Sequence, residues 1–241
     1  MMRELRRYTM ARVGLGRTGN SVSTRDLLDF QLAHARARDA VHGPFDARAV
    51  AAEIAALGVK PVIVASAAHN RQEYLRRPDL GRRLDEQSKE TVQQMGGPFD
   101  VIFVVADGLS PLAVQTSAAP LHRLVTERLD PADWRVAPVV IALQGRVALG
   151  DEIGSIAQAS LAVMLIGERP GLSSFDSMGV YLTWSPKPGR TDAERNCISN
   201  IRPGGLTIGA ASELLLLLMR EARGQRLSGV GLKARELGSS E

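Results

Sequence analysis

The sequence predicts an α/β fold, a doubly wound and mostly parallel sheet preceded by a small helical N-terminal layer. Three observations carry this. From Lys60 onward short apolar runs recur at Pro61–Ala65, Val101–Ala106, Pro138–Leu143, Leu161–Ile166 and Val180–Trp184, the signature of strands buried on both faces. Between or after them lie stretches of helical period, giving the βαβ alternation that brings strands parallel. Ahead of Lys60, roughly 60 residues contain helical patterns and no strong strand signal.

The first helix is expected over Ser23–Val41. Leu27, Phe30, Ala33, Ala37 and Val41 recur at spacings of three and four, Leu28 and Leu32 widen that face, and Ser23 or Thr24 supplies an N-cap. A second helix is expected over Ala47–Leu57. Further helices are expected at Leu80–Gln94, Pro111–Arg128, Asp151–Ala159 and Thr207–Arg223. These patterns divide the chain into a helical subdomain over 1–60, a sheet domain over 61–233 and a loose tail over 234–241.

At 241 residues the chain is long enough to bury a substantial core. Its single cysteine, Cys197, rules out an internal disulfide and suits a reducing compartment. The N-terminal MMRELRRYTMARVG lacks the apolar core of a signal peptide. The apolar run Leu214–Met219 is far below the roughly 20 residues a bilayer demands. A net charge of +4 and an isoelectric point near 9.6 favour anionic partners. Acids are interleaved with the bases and aromatics make up only 4%, so the stacking platforms of single-strand binders are scarce.

Parallel strands present their loops at their carboxyl ends, where ligands bind. Three such loops are chemically loaded: Ala106–Ser110, Gly145–Asp151 and Gly167–Gly171. Glu168 follows an apolar strand directly, inside a stiff Gly-Glu-Arg-Pro-Gly frame that suits close approach by a ligand; the plain alternative is local pairing with Arg169. Cys197, taken alone, reads as a packed thiol. Its neighbours Arg195, Asn196, Ser199, Asn200 and Arg202 supply donors and acceptors for a ligand with amides, a ribose and a phosphate. Val147 alone reads as an ordinary apolar strand or core residue.

Gly14-Leu15-Gly16-Arg17-Thr18-Gly19 satisfies the dinucleotide pattern G-x-G-x-x-G. The preceding Arg6–Val13 is too polar for a central strand, and the nearest suitably spaced acid, Asp39, falls inside a helix, so a Gly-rich turn entering a helix is the better reading. An NAD-dependent oxidoreductase built on Gly14, Gly16 and Gly19 is the first alternative function. A basic, non-catalytic interaction module using Arg76, Arg77, Arg82 and Arg83 is the second, against a plain solvated surface. The four histidines, His34, His42, His69 and His122, show no metal-binding spacing, so no metal ligand and no catalytic residue is assigned.

One stretch, Leu165–Pro203 (LIGERPGLSSFDSMGVYLTWSPKPGRTDAERNCISNIRP), resembles the small subunit of adenosylcobalamin-dependent ethanolamine ammonia-lyase. The resemblance extends to Ala11–His42, Tyr74–Asp85, Asp107–Gln115 (DGLSPLAVQ), Gln144–Gly154 (QGRVALGDEIG) and Leu227–Lys233. It implies a Rossmann-like domain that covers the nucleotide side of adenosylcobalamin at the interface with a large, barrel-shaped catalytic subunit. The residues matching the cofactor's lining are Val147, an apolar contact, Glu168, an acceptor, and Cys197. No D-x-H-x-x-G motif is present, so the cofactor would keep its own dimethylbenzimidazole below cobalt. The implied reaction converts ethanolamine, held by the large subunit, to acetaldehyde and ammonia through homolysis of the cobalt–carbon bond. A cytoplasmic hetero-oligomer follows, with no nucleic acid and no membrane. Packaging in a bacterial microcompartment, a trait of members with a longer N-terminal extension, is left open by a chain that begins ten residues before the matching block.

Overall fold

Eight strands and seven α-helices occupy the residues described by the computed structural model, which are Tyr8, 11–15 and 17–232. Gly16 and the tail over 234–241 lie outside the described residues. A two-residue pair, β1 (Arg17–Thr18) and β2 (Ser21–Val22), forms a separate antiparallel hairpin. Helices α1 (Thr24–His42) and α2 (Ala47–Ala56) follow. The main sheet is built from β3 (Pro61–Ala65), β4 (Phe99–Ala106), β5 (Val139–Leu143), β6 (Ala159–Gly167), β7 (Met178–Trp184) and β8 (Arg195–Ile201). Its spatial order is β3-β5-β4-β6-β7-β8.

Four strands, β3, β5, β4 and β6, run parallel, whereas β7 is antiparallel to both β6 and β8. The sheet is therefore mixed: three of its five pairings are parallel, in keeping with the mostly parallel sheet expected, but the antiparallel β7 departs from the Rossmann-like doubly wound pattern. The cause is local. The connection from β6 to β7 contains no helix, and without a crossover the chain can return only antiparallel.

Helices flank the sheet on both faces. One apolar layer joins Val50 and Ile54 of α2 and the inner faces of α5 (Pro111–Thr126) and α7 (Ile208–Gln225) to Phe103, Ile141, Leu165 and Leu182. The other joins Val92 of α4 (Glu86–Gln93) and Leu149 and Ile153 of α6 (Leu149–Ile156) to Ile102, Val104, Val140 and Met164. Alternate residues of β4 feed opposite layers, which is why its apolar run is continuous.

The first helix begins where its N-cap predicts, with the Ser23 side chain accepting from the Asp26 amide. Its packing reverses expectation. Ala33 and Ala40 are its buried residues, while Leu27, Leu28, Phe30 and Leu32 are 43–57% exposed. Small alanines allow close approach to the body and leave the large apolar groups outward.

The expected helix over Leu80–Gln94 splits into a 3-10 turn at Leu80–Arg82 and α4, because Leu84 pairs in an antiparallel bridge with Ser66 just beyond β3. Asp85 then caps α4 by accepting from the Ser88 amide at 2.7 Å. Helix α3 (Arg71–Arg76), capped by Asn70, and the strand β8 were not foreseen.

Candidate functional site

The carboxyl ends of β4, β5 and β6 open onto one cleft of about 390 Å³. The three loops marked in the sequence converge there. Gly108, after β4, sits so close to β6 that a β-carbon would meet the Gly167 carbonyl oxygen at 2.2 Å, and its φ of +55° is left-handed; glycine satisfies both demands. The Leu109 amide donates to the same carbonyl at 2.9 Å. Gln144, at the end of β5, is also left-handed with φ +56°. Such a conformation in a non-glycine residue is characteristic of functional turns.

Val147 and Glu168 both line this cleft, with Tyr74, Arg146, Tyr181 and Ser199. Val147 is half-buried in the turn entering α6. Glu168 is held in place from the loop before β7 and from β8. Its carboxylate accepts from the Ser177 and Ser199 hydroxyls and, at 3.1 Å, from the Asn200 amide. Among the described residues no ion pair joins it to Arg169, so the pairing alternative is replaced by anchoring across strands. Three donors leave part of the carboxylate's acceptor capacity open to the cleft.

Cys197 is exposed, not packed. It stands opposite Tyr181 in the β7–β8 register and hydrogen-bonds to that side chain. It is not among the cleft's lining residues and stands beside one of them, Tyr181. Partial burial pushes its pKa up, the Tyr181 hydrogen bond pulls it down and the Glu168 charge adds to the rise. At neutral pH the group is a thiol. The Tyr181 hydroxyl is itself pushed above its usual range by burial.

The floor of the cleft was missed in the sequence. Tyr74 is fully buried, sandwiched between the guanidinium groups of Arg146 at 4.2 Å and Arg71 at 4.8 Å, and its hydroxyl donates to the Gly145 carbonyl at 3.1 Å. Behind it Asp107 is buried; desolvation pushes its pKa up to about 6 against the opposing Arg71 charge and the Gly145, Gln144 and Gly108 amides. The only available signal was the position of Asp107 and Arg146 in strand-end loops. Tyr74 and Arg71 arrive on α3, whose six residues are too few to show a helical period.

Three of the proposed ligand groups are otherwise engaged. Arg195 is buried and paired with Asp151 and, at 2.8 Å, with Asp192. Asn196 ties down the turn at Gly229, accepting from its amide at 2.7 Å. Arg202 donates to the Asn200 side chain at 2.7 Å. In the basic cluster, Arg77 pairs with Asp79 at 2.7 Å and Arg83 approaches the same carboxylate at 4.0 Å, so the charges are partly neutralised in place. The Gly14–Gly19 stretch enters the β1–β2 hairpin, with Gly19 left-handed at φ +65°. It does not follow a strand of the main sheet, and that removes the context a dinucleotide fingerprint requires. No group of three or more His, Cys, Asp or Glu side chains among the described residues is arranged to hold a metal ion.

Fold and cleft together define an α/β protein whose strand-end loops form an open cleft of mixed polar and apolar lining. The family model for ethanolamine ammonia-lyase light chain (EutC) matches residues 1–233. Proteins named ethanolamine ammonia-lyase small subunit from Pseudomonas fluorescens (strain Pf0-1) and Rhodopseudomonas palustris (strain BisA53) are each 54% identical to the chain, over 234 and 233 residues. These matches cover 95% and 96% of the chain and 85% and 89% of the relatives. A relative of the same name from Pseudomonas aeruginosa (strain LESB58) is 53% identical over 233 residues, covering 95% of the chain and 85% of the relative. The chain belongs to the ethanolamine ammonia-lyase light-chain family.

Proposed function

We propose that this chain is the small subunit of an adenosylcobalamin-dependent ethanolamine ammonia-lyase, that its strand-end cleft holds part of the cofactor, and that it works only when joined to the large subunit. The observation that carries the reading is that Val147 and Glu168 line one open cleft in a chain of this family. The donor set fits an amide-rich ligand. Glu168 offers spare acceptor capacity, the Nε of the lining residue Arg146 is buried with no hydrogen-bond partner, and Val147 gives an apolar contact. Buried polar atoms left unpaired are costly, and a ligand's amides or a bridging water would satisfy them.

When bound, adenosylcobalamin supplies the radical chemistry by which ethanolamine loses ammonia and leaves as acetaldehyde. This chain's residues bind and orient. Glu168, anchored by Ser177, Ser199 and Asn200, accepts from the ligand at a fixed place. Cys197 stands beside the lining residue Tyr181 across the β7–β8 pair, so it acts on the lining through that neighbour. The cleft is too small to enclose a corrinoid, so the remainder of the cofactor faces the partner.

The outward side of α1 suits that partner. Leu27, Leu28, Phe30 and Leu32 expose apolar surface of the kind that marks a subunit contact. The surface adjoins the cleft: Arg36 of α1 lies 6.0 Å from the Phe175 ring, and Phe175 shares a short loop with Ser177, which holds Glu168. We assign this face to the large subunit.

The test is ethanolamine deamination by the chain co-expressed with the large subunit from the same source, with and without adenosylcobalamin. Activity requiring both chains and the cofactor is expected; no complex and no activity would overturn the reading. Glu168→Ala should weaken cofactor binding about tenfold to a hundredfold, the worth of a hydrogen bond to a charged group, with the complex still assembled. Unchanged affinity would remove Glu168 from the site.

A further inference from the structure

Behind the cleft floor lies a buried ionic cluster that no ligand contact requires. The Arg71 side chain is 17% exposed and that of Asp107 is 1% exposed. Arg71 Nη1 lies 3.1 Å from Asp107 Oδ2 and donates to the Gly108 carbonyl at 2.8 Å. Its Nε donates to the Val41 carbonyl, in the last turn of α1, at 2.7 Å. Asp107 Oδ1 accepts from the Gly108 and Gly145 amides, each at 3.0 Å. One carboxylate thus joins the loops after β4 and β5, and one guanidinium joins both to α3 and to the end of α1.

A buried ion pair is poor evidence of stabilisation, because desolvating both charges offsets their attraction. This one is also incompletely satisfied, since Arg71 Nη2 is buried without a partner. What the pair does specifically is fix geometry. Gly108, Arg146 and Val147, which line the cleft, sit on the two loops it clamps.

We propose that Arg71 and Asp107 are positioning residues for the cofactor cleft, their ion pair holding the loops after β4 and β5 in register with each other and with the end of α1. The inference rests on the cofactor and partner assignments made above for the cleft and for α1. It ties cleft shape to the helix that faces the large subunit. The groups facing Asp107 are Arg71 and Tyr74 from α3 and the Gly108, Gln144 and Gly145 amides; Arg146 stacks on the far side of Tyr74.

The test uses the complex with the large subunit. Asp107→Asn keeps an oxygen for the Gly108 and Gly145 amides while turning an amide NH2 against Arg71. Arg71→Lys keeps the charge and loses the fork that reaches Val41 and Gly108. Binding of cyanocobalamin would be followed by its visible absorbance after ultrafiltration, and hydrogen exchange would be read over 108–110 and 144–147. Asp107→Asn should weaken binding about tenfold, the effect of losing a charge-assisted contact in a positioned site, and speed exchange in both loops. Arg71→Lys should recover part of both. Wild-type affinity should fall as pH drops through about 6, where Asp107 takes up a proton, and the Asn variant should be flat from about pH 5 to about 7. Wild-type binding and pH dependence in an assembled Asp107→Asn complex would overturn the proposal. If wild type binds no cobalamin, the cofactor reading fails on its own. Unchanged loop exchange in both variants overturns the positioning role in either case.

Discussion

At the scale of single residues, the site is organised by what holds each side chain more than by the side chain itself. Glu168 is fixed at the cleft because two serine hydroxyls and a backbone amide, from the loop before β7 and from β8, hold its carboxylate. Cys197 shows the same dependence in its acidity. Burial and the nearby Glu168 charge raise its pKa, so it should alkylate slowly at neutral pH and faster as pH rises. Glu168→Gln removes the repelling charge, lowers the thiol pKa and should speed iodoacetamide labelling at fixed pH about twofold to threefold, the size of a screened charge effect. An unchanged rate would show that the two groups do not sense each other. Glu168 was legible because a carboxylate directly after an apolar strand lands at a strand's carboxyl end. Cys197 taken alone reads as a packed thiol, and its exposure follows from its strand lying at the sheet edge, which sequence cannot show.

At the scale of elements, the cap of the first helix was read directly from the sequence, and the other helix caps follow the same chemistry. Ser23, Asp46 and Thr207 each accept from amides of the helix that follows, a local interaction that needs no tertiary context. Helix α5 even runs through Pro120, although proline removes one backbone donor. Strand β8 escaped detection because Arg195, Asn196, Ser199 and Asn200 interrupt its apolar alternation; its place is set by pairing with β7. The orientation of α1 escaped for a related reason, since periodicity identifies an apolar face and not what will cover it. Replacing Leu27 and Phe30 by Asp should abolish assembly with the large subunit while leaving the isolated chain's helix content unchanged, because both side chains are exposed. Gel filtration and circular dichroism check the two halves, and intact assembly would remove α1 from the interface.

At the scale of the whole molecule, one titratable core group among the described residues works against acid stability. His122 is fully buried on α5, edge-on to Phe103 at 4.9 Å, with both ring nitrogens lacking hydrogen-bond partners. Desolvation pushes its pKa down to about 4. The unfolded chain therefore takes up this proton below about pH 6.5 while the folded chain does not. Stability from this group is complete above about pH 6.5 and is lost as pH falls towards 4, by about 3 kcal/mol in all. Asp107, with its raised pKa, acts in the opposite direction over part of that range. Thermal melts of wild type and His122→Leu across this window isolate the histidine: the variant should lose less of its Tm on acidification. Parallel curves would refute the assignment.

Sequence alone determined the α/β class, five of the six main-sheet strands, the cap that starts the first helix, and the three strand-end loops that meet at the cleft. These follow from local periodicity, from cap and turn chemistry, and from the rule that parallel strands expose their loops at one end. Tertiary structure decided the rest. It set the antiparallel return of β7 and β8, the outward turn of α1, the burial of Arg195 against Asp151, and the Arg71–Tyr74–Asp107 floor. Each depends on groups far apart in the chain meeting across the sheet, and the energies involved come from desolvation and pairing that exist only once those groups are brought together.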